Sequence, residues 1–295
     1  MATAEPQLKL RQRAEQQAAK LPPLLVAAER VAATVVQGVH GRRRVGQGET
    51  FWQFRRYGPG DSASSIDWRQ SAKSQHLFMQ ETEWEAAQTV WLWRDTSPSM
   101  LYRSSDDLPT KAERADLLLL AMAAMLVRGA ERFALLGTGL TPSSGRAAFH
   151  RLADIVMRRP EVREGLPPFE PLPRHAQIVL IGDFLSPPAE VRQAIQALAA
   201  RGVSGQMLQV LDPAEESLPF DGRIRFHGLE GEPSTLINRT ESVRGDYTQR
   251  IADHRAALAD IARHVGWGFI SHRIDRPPQN ALLPLYMALA PKAKA

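Results

Sequence analysis

No cysteine occurs among the 295 residues. That excludes disulfides, thiolate nucleophiles and thiolate zinc sites, and it fits a reducing compartment. Long apolar runs are also missing: the longest nearly unbroken one, Leu117 to Val127, falls far below the ~18 residues that a membrane-spanning helix requires. The opening MATAEPQLKLRQRAEQQAAK is polar and charged where a secretory signal would carry an apolar stretch. A soluble cytoplasmic protein with no membrane partner is expected. The chain has no Walker A loop, no G-x-S-x-G elbow and no H-E-x-x-H pair, and its eight histidines are scattered. Gly46-Gln47-Gly48 lacks the third glycine, the preceding buried strand and the following helix of a phosphate loop. What remains is ordinary for a globular protein: 43% apolar, 23% charged, and a net charge of +5.

The most informative stretch is TVWLWRDTSPSM, Thr89 to Met100. Val90 to Trp93 favours a strand, and Asp95, Ser97 and Ser99 fall just past its carboxyl end, where open α/β sheets keep their sites. An aspartate and alternating hydroxyls are hard oxygen donors, suited to an ion such as Mg²⁺. The alternative is that Asp95 and Ser97 cap a following helix or close a turn. A phosphoaspartyl hydrolase would need a second carboxylate two residues after Asp95, where Ser97 stands instead. The expectation is therefore a non-enzymatic protein.

Residues 1–20 form a polar tail. Apolar positions at helical spacing from Pro23 to Val35 predict one amphipathic helix. Gly41 to Lys73 then holds five glycines, two tryptophans and seven Lys or Arg against three acidic residues. Its arginines interleave with Phe51, Trp52, Phe54, Tyr57 and Trp68. Two readings fit: bases stacked on the rings with phosphates on the arginines, or a small sheet with its aromatics packed inward. Nucleic-acid binding through residues 42–73 is thus the alternative function.

From Lys111 to Val127 a helix apolar almost all round predicts a buried element. QIVLI at Gln177 to Ile181 predicts a parallel strand covered on both faces, ending in Gly182-Asp183. Ser186 is a candidate cap for the next helix, with Pro187 at its first position. Strands alternate with helices from Thr89 onward, ending with a helix up to Val265, a strand at Trp267 to His272 and a helix around Ala281 to Leu289. This pattern predicts an α/β fold, a mainly parallel sheet with helices on both faces. The expected layout is an N-terminal helix and Arg/aromatic-rich β segment over 21–88, and the main domain over 89–290. A β-hairpin is inserted near 222–238.

The Gly38-Val39-His40 and Gly46 to Phe51 run, RRYGPGD at Arg55 to Asp61, IDWRQSAK at Ile66 to Lys73, DTSPSM and Asp183 together resemble the domain of unknown function 58 family, which is von Willebrand factor A-like. The resemblance spans roughly Pro22 to Leu289. It implies a Rossmann-like von Willebrand factor A fold and a metal-ion-dependent adhesion site, with Asp95, Ser97, Ser99 and Asp183 holding Mg²⁺. One coordination position would stay open for a carboxylate of a partner protein. It also implies partnership with a MoxR-type AAA+ ATPase or its client. The family's threonine ligand has no counterpart: Leu152 to Asp183 contains no Ser or Thr. Thr138 and Thr141 would substitute only through a loop that folds back.

Overall fold

A computed structural model of the chain describes residues 23–40, 51–58, 66–74, 76–82, 89–158 and 165–289. The polar tail, the glycine and arginine run at 41–48 and most of the Gly58 to Asp61 turn lie outside the described residues. So do residues 62–65, within the stretch considered for nucleic acid.

Helix α1 (Pro23–His40) is followed by strand β1 (Phe51–Arg56), the single turn α2 (Trp68–Ser71) and strand β2 (Phe78–Thr82), which pairs antiparallel with β1. The main sheet is built from β3 (Thr89–Arg94), β4 (Arg132–Leu135), β5 (Gln177–Gly182), β6 (Ser204–Leu211) and β9 (Gly268–Arg273), in the order β4-β3-β5-β6-β9. Every pairing in it is parallel. An isolated antiparallel bridge between Phe133 and Ser143 adds to its outer edge beside β4.

The remaining elements are α3 (Lys111–Arg128), α4 (Gly145–Met157), α5 (Pro188–Ala199), the short α6 (Pro213–Ser217), the hairpin β7 (Ile224–Phe226) and β8 (Thr235–Ile237), α7 (Thr240–His264), and α8 (Gln279–Leu289). Successive strand residues point to opposite faces, and the two faces carry separate cores. Val90, Leu92, Val179, Ile181, Leu208 and Val210 bury against α1, α3, α4 and α8. Trp91, Trp93, Ile178, Leu180 and Met207 bury against α5 and α7.

Helix α3 explains its own composition. It lies on the sheet and is covered by α1 and α8, so Leu118 to Met125 are buried on every side. Its start is fixed by a capping box: Thr110 Oγ1 accepts from Glu113 N–H, and Glu113 accepts from Thr110 N–H.

One expectation needs correction. Helix α5 begins at Pro188 rather than Pro187, and Ser186 does not cap it. A residue before proline is pushed out of the helical region, so Pro187 takes extended backbone and becomes the N-cap itself. Helix α7, for which the sequence marks only the end, begins at Thr240, and its first turns are polar and lie largely in solvent.

The chain leaves β3 through α3 toward β4 on one side, then returns to β5 on the other side of β3. The carboxyl ends of β3 and β5 therefore flank the crevice where the direction of winding reverses, the place where sheets of this kind hold ligands.

Candidate metal-ion site

Asp95 follows β3 directly and Asp183 follows β5 directly. The two strands are hydrogen-bonded neighbours, and Asp95 N–H donates to Ile181 O at 2.8 Å. Adjacent strand ends therefore deliver both carboxylates to one point. Ser97 N–H closes a turn on Asp95 Oδ1 at 2.8 Å. The 3₁₀ turn Pro98–Leu101 then carries Ser99 inward. Ser97 Oγ lies 3.0 Å from Ser99 Oγ, and Ser99 Oγ donates to Asp183 Oδ2 at 2.7 Å. All four side chains are buried, Asp95 and Asp183 at 1% exposure each.

The capping alternative holds only in part. Asp95 accepts a turn bond from Ser97, but Ser97 makes no side-chain cap to the helical turn after it.

The backbone accommodates this convergence at some expense. A Cβ at Gly182 would stand 2.7 Å from Asp95 Cβ, so only glycine allows the carboxylate to lie over β5. Phe184 adopts φ 53, a left-handed conformation that costs an aromatic residue about 1–3 kcal/mol. It is held there by full burial, by packing on Trp93, and by His254 at 2.7 Å from its carbonyl. Asp183 O accepts from Gln209 at 3.1 Å, and Asp183 Oδ1 accepts from Leu185 N–H at 3.2 Å.

Two residues of the cluster were not foreseen. Lys111, the first residue of α3, is fully buried, and its Nζ donates to Asp183 Oδ2 at 2.8 Å and to Glu215 of α6. Glu215 also accepts from Asp212 N–H at 2.8 Å in a second capping box. The string Asp212-Pro213-Ala214-Glu215 carried that signal in the sequence. Nothing in the local sequence marked Lys111 for burial.

Electrostatics follow from this packing. Burial, reinforced by the charge of Asp183, pushes the Asp95 carboxyl up to about 7. For Lys111, burial works to lower the ammonium's pKa, but Asp183 and Glu215 outweigh it and the net shift is upward. Burial raises Glu215 despite Lys111 beside it.

The donors fit a small hard cation on two observations. They are all oxygens, and Asp95 Oδ2 is buried with no hydrogen-bond partner among the described residues, an unsatisfied state that is costly unless something satisfies it. Two carboxylates and two hydroxyls leave the rest of an octahedral shell to water. No cluster of three or more His, Asp or Glu suited to a metal exists among the described residues. Thr138 does not supply the missing hydroxyl: it donates to Leu135 O at 2.6 Å, and Thr141 is exposed. Facing Ser97 instead is Gly165, which brings no side chain. A groove of about 560 Å³ opens over Ser97 and Pro98, walled by Gly165, Leu166, Ser186 and the hairpin tip Leu229-Glu230.

The fold is an α/β one, a wholly parallel five-stranded sheet with helices on both faces, and its D-x-S-x-S loop stands at the switch point. More narrowly, the chain belongs to the family described as protein of unknown function DUF58, whose model matches residues 53–257. Uncharacterized protein Rv1480 of Mycobacterium tuberculosis is 26% identical over 277 residues, covering 88% of this chain and 85% of that protein. Uncharacterized protein Mb1516 of Mycobacterium bovis matches to the same extent. Among solved structures, an aerotolerance-related membrane protein from Bacteroides fragilis is 17% identical, with a TM-score of 0.44 over 68% of this chain and 98% of that one. The conserved hypothetical protein BatB from Bacteroides thetaiotaomicron is 15% identical, with a TM-score of 0.41 and the same coverage. In this chain no helix among the described residues is long and apolar enough to cross a membrane.

Proposed function

We propose that this chain is a non-enzymatic, cytoplasmic protein-interaction module whose rim presents a divalent cation, Mg²⁺ in the first instance, to a carboxylate of a partner protein. The observation that carries this reading is the meeting of Asp95, Ser97, Ser99 and Asp183 around an unsatisfied buried carboxylate oxygen. Asp95 and Asp183 would hold the ion together with the two serine hydroxyls, and water would take the place of the threonine. The ion would supply a fixed positive charge at the floor of the groove, and the protein would position it and keep the surrounding oxygens from rearranging.

Exposed leucines border this charge. Leu101 and Leu185 lie on the two loops that carry the site, and Leu229 stands at the hairpin tip. A partner would therefore meet one central charge within a partly apolar rim, the composition of a small specific interface. The partner class in this reading is a MoxR-type AAA+ ATPase or a client of one, with the ATP chemistry belonging to the partner.

The experiment is a pull-down of a purified MoxR-type ATPase by the full chain in Mg²⁺, in EDTA, and with Asp95→Ala. Capture lost in both EDTA and the variant supports the reading. Capture that survives both would leave an interaction module without a working ion, and would remove the metal from the account.

A further inference from the structure

Lys111 is out of place by every local rule. It sits at the first position of α3, where the positive end of the helix dipole disfavours a cation, and it is wholly buried, where lysine is almost never found unpaired. Tertiary partners must account for it. Its ammonium pairs with two carboxylates, Asp183 Oδ2, the oxygen that also accepts from Ser99, and Glu215 Oε1 on α6, and stands 6.0 Å from the centre of the Tyr102 ring. Asp95, Asp183 and Glu215 set three carboxyl groups against the single ammonium of Lys111. Left to itself, the rim would hold two carboxylates converging in a dry pocket with no counter-charge, a costly arrangement.

We infer that Lys111 is the resident cation of the site: it neutralises Asp183 in the ion-free protein and yields Asp183 Oδ2 to an entering divalent ion by leaning toward Glu215. This rests on the metal-ion reading above. It assigns Lys111 and Glu215 positions in the site as residues that set its affinity without ligating the ion. Folding then does not require the metal, and ion affinity is kept low by competition for one carboxylate oxygen. Such a site fills fully only when a partner carboxylate adds its own bond.

The structure also shows where the displacement would be felt. Glu215 belongs to α6, whose start is tied to the loop after the metal-site turn through Asp212 Oδ2 and Ser104 N–H at 2.8 Å. The backbone carbonyl of Glu215 accepts from Tyr247 of α7 at 2.8 Å. A change in the sharing of Lys111 between its two carboxylates therefore acts on α6 and on the helix that follows the rim hairpin.

The test uses the full chain with Mn²⁺ and Mg²⁺ as probes, measured by titration calorimetry and by thermal unfolding in EDTA and in saturating Mg²⁺. Lys111→Met removes a charge a few ångströms from the ion, and tightening of about tenfold or more is expected at the effective dielectric of a protein interior. Its melting temperature should fall below wild type in EDTA and recover with Mg²⁺, while wild type changes little. Glu215→Gln leaves Lys111 to Asp183 alone and should bind the ions several-fold more weakly than wild type. Equal or weaker binding by Lys111→Met, or a stability loss that Mg²⁺ does not restore, overturns the assignment. Should Lys111→Met fail to fold in either condition, Glu215→Gln decides alone, and unchanged or tighter binding by it is fatal. Wild-type binding with the variants in the wrong order sinks only the role of Lys111, whereas no binding by wild type or any variant removes the metal-ion reading as well.

Discussion

Replacing Gly165 with serine is expected to return to this site the hydroxyl that its sequence lacks. A Cβ at position 165 would lie 3.5 Å from Ser97 Cβ, 3.6 Å from Ser186 Oγ and 3.9 Å from Ser97 Oγ, all ordinary contacts, and its φ is outside the left-handed region. A hydroxyl one bond further out can approach Ser97 Oγ to about 3 Å. That is the spacing between neighbouring ligands of an octahedral ion with bonds of about 2.1 Å. The new hydroxyl displaces one bound water, whose immobilisation costs up to about 2 kcal/mol. It gives back part of that gain in ordering its own rotamer. A net gain of roughly 1 kcal/mol corresponds to about fivefold tighter Mg²⁺ or Mn²⁺. Gly165→Ala is the control, because both variants share the stabilisation of about 0.4–1 kcal/mol that comes from restricting the unfolded chain. In EDTA the two should therefore melt together, and calorimetry with Mn²⁺ should separate them. Identical affinities for serine and alanine would refute the placement of an ion beside Ser97.

Three further outcomes follow from the same geometry. Gly182→Ala places a methyl 2.7 Å from Asp95 Cβ, which should cost about 1–3 kcal/mol as overpacking and abolish ion binding; retained Mn²⁺ affinity in calorimetry would mean that Asp95 is not held as described. Asp95 has a folded pKa of about 7 against an ordinary value of 3.8, so its contribution to stability is complete below about pH 4 and is lost as pH rises through 7. Linkage puts the loss at a few kcal/mol for the ion-free protein. Denaturant melts in EDTA should show it, Mg²⁺ should reverse it, and Asp95→Asn should remove it. His272 is pushed down to about 4 by burial and by Arg114, so it contributes stability above about pH 6.5 that is lost as pH falls through 4; His272→Gln should flatten that acid limb, and an unchanged limb would assign it to other groups.

The sheet was legible because its strands announce themselves. QIVLI is apolar without interruption because β5 is covered on both faces, and TVWLWR alternates Val90 and Leu92 on one face with Trp91 and Trp93 on the other. Asp95 was legible as well, since it ends such a strand and strand ends at a switch point are where polar groups gather; Asp183 also ends a strand, but only the family resemblance marks it as a site residue. Lys111 was not legible, because periodicity tells which face of a helix is buried and says nothing about a buried charge whose partners come from positions 183 and 215. Gly165 escaped for the same reason. Its significance is a contact with Ser97, and a glycine in a proline-rich stretch looks like any other turn residue. Ser186 has the residue type of a cap, but the sterics of the proline pair after it move the helix start by one residue. The short α6 shows no apolar period because five residues are too few, although Asp212 and Glu215 spell a capping box at its start.

Several expenses of this fold fall together on one rim. Phe184 is held in a left-handed conformation beside Asp183, two carboxylates converge in a dry space, Asp95 Oδ2 goes without a partner, and Lys111 stands at the wrong end of a helix dipole. Each costs stability. Single exceptions stand elsewhere in the described chain, such as left-handed Ala130 and His175, Pro284 inside α8 and the buried Trp91 Nε1, whereas at the rim several stand together. Conflicts with local preference that gather at one place are the mark of a site selected for something other than stability. With Asp95 ionised, the carboxylates carry an excess of negative charge that one lysine only partly offsets. A divalent cation would cancel that excess and satisfy the unpaired oxygen in the same step, which makes it a better match than any neutral ligand or anion.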